Sequence, residues 1–344
     1  MYYISSENFS KFLVSLKKDY EVFVPVKKGQ QRFYQKFTAA GADYLVGEVR
    51  AFEPLKSFFF RARERVASGF SQKIPQRLER PFAIVGVKAC DLKGFKIQDY
   101  VFSNHDYQDP FYLKLREANL VISADCTSVI ESCFCTALGL KPYPQMNFDL
   151  NLSSVDEGYL VEIGSSKGKR IVEKYTLFFR QPREDLMSTR NRRREKIFRE
   201  VEVQVKSNGL SNQESFKGVV EKGFESEIWS EEAEACVECG ACNTICPTCH
   251  CFLLYDQQND AQMERLRIWD SCMIKDFARV AGGANPREKL WMRLRNRFEK
   301  KFDFFPKVAA EFACTGCGRC ISACPAKIDI RKVLKKLVDN AKSR

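Results

Sequence analysis

Hydrophobic residues near the start of the chain recur at helical spacing. Phe9, Phe12, Leu13 and Leu16 lie at intervals that one helix face would gather, and they follow Ser6, a residue type that often caps helices. This pattern predicts a short amphipathic helix at the beginning of the chain.

Short apolar runs further along predict strands. Residues 21–26, 81–87 and 119–123 are bounded by turn-forming or charged residues, as buried parallel strands commonly are. Residues 159–163 and 170–175 flank a polar segment that contains glycine, which predicts a β-hairpin. Together these elements predict an α/β domain in the first half of the chain.

Charged residues dominate the middle of the chain. Arginine and lysine are concentrated between residues 180 and 199, which is typical of the solvated face of a helix. We prefer this interpretation to a specific docking patch. We therefore predict an α/β domain over residues 1–180, a charged helical connector over 181–235, and a further domain over 236–344.

Helical spacing returns in this last domain. Residues 262–268, 271–280 and 287–301 have helix-like patterns, which predicts a mainly helical domain and an α+β fold class for the whole chain. The final segment places five apolar residues on one face, which we expect to pack on the core: Ile330, Val333, Leu334, Leu337 and Val338.

The helical domain contains two copies of the pattern C-x2-C-x2-C-x3-C-P. Three closely spaced cysteines curve the backbone around three corners of a 4Fe-4S cube, and in two-cluster ferredoxins the fourth cysteine reaches the other cube. We therefore predict two 4Fe-4S clusters and a protein that conducts electrons. The expected ligand sets are Cys236, Cys239, Cys242 and Cys324 for cluster 1, and Cys314, Cys317, Cys320 and Cys246 for cluster 2.

Structural zinc is the alternative interpretation of paired C-x2-C units, because zinc takes four thiolates from two such pairs. Zinc explains neither the third cysteine of each copy nor the proline that follows the fourth. The repeated full pattern therefore favours iron–sulfur clusters over zinc.

Four more cysteines lie in the first domain: Cys90, Cys126, Cys133 and Cys135. Cys90 and Cys126 follow the predicted strands over 81–87 and 119–123, and open α/β sheets place their ligands at the carboxyl ends of parallel strands. Four thiols could hold a third 4Fe-4S cluster. Free cysteines are also commonly small buried hydrophobic residues, so both interpretations stay open.

Cys249, Cys251 and Cys272 have no place in either ferredoxin motif. They could insulate a cluster, complete a site with the first domain, or supply a reactive thiol for sulfur chemistry. A reactive thiol requires a lowered pKa and exposure, which the sequence does not reveal, so we favour a structural role.

Composition and charge narrow the class of protein. The chain has 344 residues, 44% of them hydrophobic, with fifteen cysteines and a formal net charge of +12. It contains no apolar stretch of membrane-spanning length and no signal-peptide pattern, so we expect a cytoplasmic protein with no membrane span. Cysteines in a reducing compartment favour metal ligation over disulfides. No nucleic-acid-binding or nucleotide-binding motif accompanies the basic residues, which points to acidic partner proteins and not to nucleic acid.

Several segments resemble the β subunit of cytoplasmic sulfhydrogenases and the related electron-transfer subunit of anaerobic sulfite reductases. They are GVKACDL over residues 86–92, CFCT over 133–136, CPTCHC over 246–251, WDSC over 269–272 and CGRC over 317–320. The resemblance covers nearly the whole chain. It implies a protein that relays electrons from a flavin- and NAD(P)-binding reductase subunit to the catalytic subunit of a hydrogenase or sulfite reductase, or in the reverse direction. It also favours a functional use of Cys90, Cys126, Cys133 and Cys135.

A rival hypothesis makes this chain itself the catalyst. In that case it would reduce sulfur or polysulfide at Cys249, Cys251 or Cys272, without partner subunits.

Overall fold

The computed structural model describes residues 1–38, 43–69, 80–103, 106–210, 212–259 and 262–343, which include all fifteen cysteines. The strands of this part of the chain are β1 Tyr2–Ser5, β2 Glu21–Lys28, β3 Gln31–Lys36, β4 Arg63–Ser68, β5 Phe82–Val87, β6 Leu120–Ala124, β7 Leu150–Val155, β8 Gly158–Ile163, β9 Phe252–Asn259 and β10 Gln262–Trp269.

The helices vary from single turns to one helix of 24 residues. They are α1 Ser6–Leu16, α2 Lys56–Phe59, α3 Ala89–Ser103, α4 Pro110–Ala118, α5 Ser166–Lys174, α6 Glu184–Ser207, α7 Val219–Lys222, α8 Ile228–Ala233, α9 Ala241–Thr244, α10 Leu290–Glu299, α11 Phe305–Ala309, α12 Arg319–Ala323 and α13 Ile330–Lys342. In the part of the chain described above, none of these helices has the length and apolar composition that crossing a bilayer requires.

Two compact units are formed from interleaved stretches of the chain. The first unit comprises Met1–Leu55, Arg80–Ser207 and Thr315–Cys317, and the second comprises Lys56–Glu79, Asn208–Cys314 and Gly318–Arg344.

The first unit is built on a seven-stranded mixed sheet with the order β1-β8-β7-β6-β5-β2-β3. Strands β2, β5, β6 and β7 are parallel, and their apolar residues are buried on both faces of the sheet. The remaining strands join them in antiparallel pairs. This arrangement confirms the predicted α/β character of the N-terminal part and the strands predicted over residues 81–87 and 119–123.

Helix α1 covers one edge of this core. Phe9, Phe12, Leu13 and Leu16 are at most 1% exposed, as their spacing predicts. The capping residue is Ser5 and not Ser6, because the Ser5 side chain accepts a hydrogen bond from the Asn8 amide at 3.2 Å.

The predicted hairpin is wrong in its pairing. Strand β8, over residues 158–163, pairs with the preceding strand β7, whereas residues 170–174 belong to helix α5. Ser165 caps this helix by accepting a hydrogen bond from the Gly168 amide at 3.0 Å, so the glycine-containing segment begins a helix instead of forming a turn.

Helix α6 carries most of the charged segment. Its buried stripe is formed by Leu186, Ile197, Val201 and Val205, and its remaining positions are largely polar. Arg194 departs from the predicted solvated face, because its guanidinium makes two hydrogen bonds with the buried carboxylate of Asp125 at 2.7 and 3.1 Å.

The second unit is mainly helical but also contains a three-stranded antiparallel sheet with the order β4-β10-β9. The helices predicted over residues 262–268 and 271–280 are therefore wrong: the first segment is strand β10, and the second is built from turns. Strand β10 pairs on both edges, and this pairing overrides its local helix-like spacing.

Two predicted helices of the second unit are confirmed. Helix α10 lies within residues 287–301, and helix α13 buries all five apolar residues of its predicted face. Asp329 caps α13 by accepting a hydrogen bond from the Arg331 amide at 2.9 Å.

Candidate metal centres

The two cysteine motifs have the same local geometry. Gly240 and Gly318 occupy equivalent positions in them, with φ angles of 70° and 69°, a conformation that favours glycine. A short helix follows each glycine, α9 after the first and α12 after the second, and these helices pack against each other. The repeated sequence therefore folds as a pair of matching turns.

Cysteines from both motifs line one cavity in the second unit. The first motif contributes Cys236, Cys239 and Cys242, and the second contributes Cys320 and Cys324. The other lining residues are mostly apolar: Val237, Gly240, Met273, Leu294, Arg297, Phe298, Pro325, Ala326, Ile328 and Ile330. Converging thiols inside apolar walls are the donor set and the shielding that a 4Fe-4S cluster requires, so these residues fit such a group. Cys239 is the exposed member of the set.

Cys246 lies in a separate buried environment. Its sulfur is 3.3 Å from Lys301 Nζ and 3.1 Å from Thr248 Oγ1. Both Lys301 and Thr248 donate hydrogen bonds to the Ala313 carbonyl, at 3.1 and 2.7 Å. Because Ala313 precedes Cys314, these bonds connect the end of the first motif to the start of the second.

Lys301 is a buried cation that sequence reasoning missed. Burial disfavours its charged form, but electrostatic interaction with the neighbouring Cys246 and Cys249 outweighs that cost and raises the pKa of the ammonium above its usual value. Its Nζ also lies 3.6 Å from the Cys249 sulfur. The side chain therefore places a positive charge against two sulfurs.

Asn243, next to Cys242 of the first motif, is at the centre of a second network of hydrogen bonds. Its amide nitrogen donates to the Ser271 hydroxyl at 3.0 Å and to the Cys272 sulfur at 3.1 Å, and its Oδ1 accepts a hydrogen bond from Arg297 at 3.0 Å. Lys56 donates to the Asn243 carbonyl at 3.3 Å and lies 4.3 Å from the centre of a tryptophan ring. No local sequence signal marks these residues, because their partners come from distant parts of the chain.

Cys251 and Cys272 lie at the open end of the β9–β10 pair. The Asp270 amide donates to the Cys251 carbonyl at 3.0 Å. Cys272 is only 3% exposed.

His250 lies between Cys249 and Cys251 in the sequence. Burial lowers the pKa of its imidazole to about 4, so the ring is neutral near pH 7. Its Nδ1 lies 3.1 Å from the Thr248 carbonyl oxygen, a partner that can only accept a hydrogen bond.

The first unit contains four of the cysteines, and two of them, Cys90 and Cys126, lie near Lys88. Cys90 is at the start of α3 and Cys126 follows β6, which confirms that each lies just beyond a strand. Burial raises the pKa of Cys126 to about 12, and nearby Cys133 acts in the same direction; burial, Cys133 and Cys126 likewise raise the pKa of Cys135. Cys126, Cys133 and Cys135 are thus close to one another within one unit.

Buried Lys88 holds the strand ends beside these thiols. Its Nζ donates to the carbonyls of Val46, Ala124 and Asp125 at 2.7, 3.4 and 3.2 Å. Burial lowers its pKa, while the Cys126 thiol acts in the opposite direction.

Residues 315–317 of the second motif belong to the first unit and lie beside Cys135. The Phe134 amide donates to the Gly316 carbonyl at 2.8 Å. A Cβ on Gly316 would lie 2.5 Å from Cys135 Cα, and its φ of 62° is also suited to glycine. Arg50 donates to the Cys317 carbonyl.

In the ranges that the structure describes, no three histidine, cysteine, aspartate or glutamate side chains are grouped as ligands of a single metal ion. A cube distributes its four thiolates over four separate irons.

Comparison with known proteins agrees with this geometry. The family of 4Fe-4S dicluster domains matches residues 235–328, a range that contains all eight motif cysteines. The sulfhydrogenase 2 subunit beta of Pyrococcus furiosus is 32% identical over 337 residues, which cover 97% of each chain.

The chain belongs to the sulfhydrogenase β-subunit family. This family membership confirms the resemblance found in the sequence, and the dicluster domain makes the chain an iron–sulfur, electron-transport protein of the oxidoreductase class. A more limited similarity, 28% identity over 103 residues, links this β-type chain to the pyruvate-flavodoxin oxidoreductase of Trichormus variabilis. That match covers 30% of this chain and 7% of the other protein.

Proposed function

We propose that this β-type chain is the electron-transfer subunit of a cytoplasmic oxidoreductase complex and that it holds two 4Fe-4S clusters. Cys236, Cys239, Cys242 and Cys324 would hold one cluster, and Cys314, Cys317, Cys320 and Cys246 the other. The observation that carries the proposal is the cavity lined by cysteines of both motifs.

The exchange of one ligand between the motifs has specific support. Cys324 of the second motif lines the same cavity as Cys236, Cys239 and Cys242 of the first, and so does Cys320, which the ligand pattern assigns to the other cluster. Cys246 of the first motif instead shares Lys301 and Thr248 with the backbone next to Cys314. This division follows the ligand pattern of two-cluster ferredoxins.

When bound, a 4Fe-4S cluster accepts and releases one electron at a time. The protein around it contributes burial, hydrogen bonds and charge. Lys301 and Arg297 are both buried, so their positive charges are poorly screened and favour the more negative, reduced state. Cys239 is exposed and its neighbour Val237 is 64% exposed, which suits this edge of the cavity for contact with another electron carrier.

A third cluster at Cys90, Cys126, Cys133 and Cys135 is part of the proposal. Its support is the proximity of Cys126, Cys133 and Cys135 to one another, and the position of Cys90 and Cys126 near the same buried residue, Lys88. Cys135 also lies beside Gly316 of the second motif. A centre at this position would extend the path for electrons into the first unit.

The partners are proposed from the family. The relative from Pyrococcus furiosus is one component of a sulfhydrogenase. We propose that a flavin- and NAD(P)-binding reductase subunit exchanges electrons with one end of this chain, and that a hydrogenase or sulfite reductase catalytic subunit does so at the other.

Anaerobic preparation of the full chain tests the clusters. Two clusters require about eight irons per chain and three require about twelve, with paramagnetic signals after dithionite treatment. Cys239→Ser should remove the signal of one cluster, Cys90→Ser should remove the signal of the third cluster, and Ser322→Ala is a control outside the ligand sets. Colourless protein that contains zinc would contradict the proposal.

Co-purification tests the partners. A tagged chain recovered anaerobically from its own cells should bring with it a flavoprotein that oxidises NADH or NADPH and a catalytic subunit with hydrogenase or sulfite reductase activity. Recovery of the chain alone in full yield, with both clusters intact, would contradict its role within a complex.

A further inference from the structure

Helix α6 lies against the segment that carries two cysteines of the first unit, Cys126 and Cys133. Near the middle of the helix, Arg194 donates two hydrogen bonds to the carboxylate of Asp125, at 2.7 and 3.1 Å. Further along, the side-chain amide of Gln204 donates to the Cys133 carbonyl at 2.6 Å. These two helix positions are about 15 Å apart at 1.5 Å per residue, so one side of α6 is fixed against the cysteine segment over about three turns.

Two concavities are lined by residues of α6. The first has a volume of about 240 Å³, and Cys126 is one of its lining residues. Its cationic lining residues are Arg190, Arg193, Arg194 and Lys196. The second has a volume of about 840 Å³, and its cationic and apolar lining residues are Arg192, Lys196, Arg199, Val129 and Val203. Because Lys196 lines both, the two concavities form one continuous surface, which we call the α6 surface.

The α6 surface has an excess of positive charge. Six cations and three carboxylates line it, which gives a net charge of +3. Arg190 donates to the Asn191 side-chain oxygen at 3.1 Å and Arg192 to the Thr189 hydroxyl at 3.2 Å, and within the described ranges neither guanidinium forms an ion pair. These two cations are therefore available to carboxylates from outside the chain.

We propose that the α6 surface is the docking site of an acidic protein that carries single electrons. Guanidinium groups bind carboxylates in a bidentate geometry, and arginine is enriched in protein interfaces. Apolar area is also available, because Val203 is 68% exposed. The inference rests on the proposed function, since the third cluster proposed at Cys126 would be the acceptor: the reduced carrier loses one electron and the oxidised cluster gains it.

The distribution of charge on the α6 surface favours a protein over other anions. Glu195 and Glu200 lie among the cations, where they would repel the phosphates of a nucleic acid. A small free anion would be bound weakly, because most of the lining cations are exposed to water. An acidic protein can place carboxylates against the arginines and other side chains against Val203 and the glutamates. The charge pattern alone is that of a solvated helix face, and the attachment of α6 beside Cys126 gives this face access to an electron acceptor.

Matched charge reversals in the anaerobic holoprotein test this assignment. The α6 variant combines Lys196→Glu with Arg199→Glu, two side chains that are each 76% exposed and have a glutamate partner at i,i+4 spacing. The control combines Lys11→Glu with Lys169→Glu, which are 59% and 68% exposed and have glutamate partners at the same spacing on α1 and α5. Both variants change the net charge equally, so any difference between them comes from the position of the charge.

A small acidic ferredoxin, reduced beforehand, is the probe. Biolayer interferometry measures its association with the chain at about 0.05 M salt, where surface charges are weakly screened. Association with the α6 variant should be at least about tenfold slower than with the wild-type chain, whereas the control should stay within about twofold. Stopped-flow reduction of the chain by the ferredoxin should slow in the same order. Equal losses in both variants, or no binding to the wild-type chain, would overturn the docking site.

Binding and iron content are measured on the same samples, which separates the two proposals. Ferredoxin binding that depends on the α6 surface in a chain without iron would contradict only the proposed clusters. A double-stranded DNA oligonucleotide is the rival ligand. If it binds more tightly than the ferredoxin and the α6 variant abolishes its binding, the surface serves nucleic acid and the proposal is overturned.

Discussion

A buried cation beside thiolates is the residue-scale feature with the clearest consequence. Lys301 contacts the sulfurs of Cys246 and Cys249 and is 4% exposed, so water screens its charge poorly. Reduction adds one electron to a cluster, and a nearby positive charge stabilises the product more than the reactant. Lys301 should therefore raise the potential of the cluster proposed at Cys246.

Replacing this charge gives the first prediction. Lys301→Met should lower the reduction potential of that cluster by at least about 60 mV, which for one electron is a tenfold change in the equilibrium constant. A potentiometric titration followed by electron paramagnetic resonance measures the shift. Lys301→Arg keeps the charge and should recover most of the potential, whereas Lys335→Met, on the exposed face of α13, should leave the potential unchanged. An unshifted potential in Lys301→Met would show that this charge does not tune the cluster.

The sequence reveals the cysteines of the motifs but not the residues that surround them. The spacing of Cys236, Cys239 and Cys242 is set by one local turn, so it can be read directly. Lys301 and Asn243 act on sulfurs through contacts that form only after folding. The same limit applies to Cys272, whose sulfur accepts a hydrogen bond from Asn243, a residue 29 positions earlier in the chain.

At the scale of elements, the predictions were correct where the pattern of apolar residues lies within one helix or one strand. Helices α1 and α13 bury one stripe each, and strands β5 and β6 are short apolar runs, so burial follows from the sequence alone. Strand β10 was missed although one of its partners, β9, directly precedes it in the chain. Its other partner, β4, lies about two hundred positions earlier, and that pairing leaves no trace in a local window.

That pairing includes a buried ion pair, which gives the second prediction. Arg267 on β10 and Glu64 on β4 are 2.6 Å apart, and both side chains are 4% exposed. Glu64→Ala would leave the arginine buried without its carboxylate, so it should cost about 3–5 kcal/mol of unfolding free energy. For a folding unit of about 150–250 residues this lowers the melting temperature by about 2–4 °C per kcal/mol.

The neighbouring pair of strands supplies a matched control. Arg265 and Asp256 are 2.8 Å apart, but their side chains are 55% and 47% exposed. Asp256→Ala should cost less than about 1 kcal/mol. Anaerobic thermal unfolding followed by circular dichroism compares the two variants, and equal effects would rule out a special contribution from the buried pair.

At the scale of the whole molecule, neither of the two units is one continuous stretch of the chain. Residues 56–79 belong to the second unit although they precede most of the first, and residues 315–317 return to the first unit. The boundaries expected at residues 180 and 235 stay predictions. Local composition shows where the content of charged and apolar residues changes along a chain. It cannot show that a unit is assembled from three separate stretches.

Net charge gives the last prediction, since it acts on the molecule as a whole. The chain has a formal charge of +12, and two cubes with a net charge of about −2 each would leave about +8. Anionic electron carriers should therefore be attracted over a distance set by the Debye length, about 30 Å at 0.01 M salt and about 3 Å at 1 M.

Stopped-flow reduction of the clusters by reduced anthraquinone disulfonate, an anionic carrier, should slow as the salt concentration rises from 0.01 M to 1 M. Reduction by a cationic viologen should accelerate or stay constant, because screening then removes a repulsion. The same salt response for both carriers would mean that the positive charge does not guide electron donors to this protein.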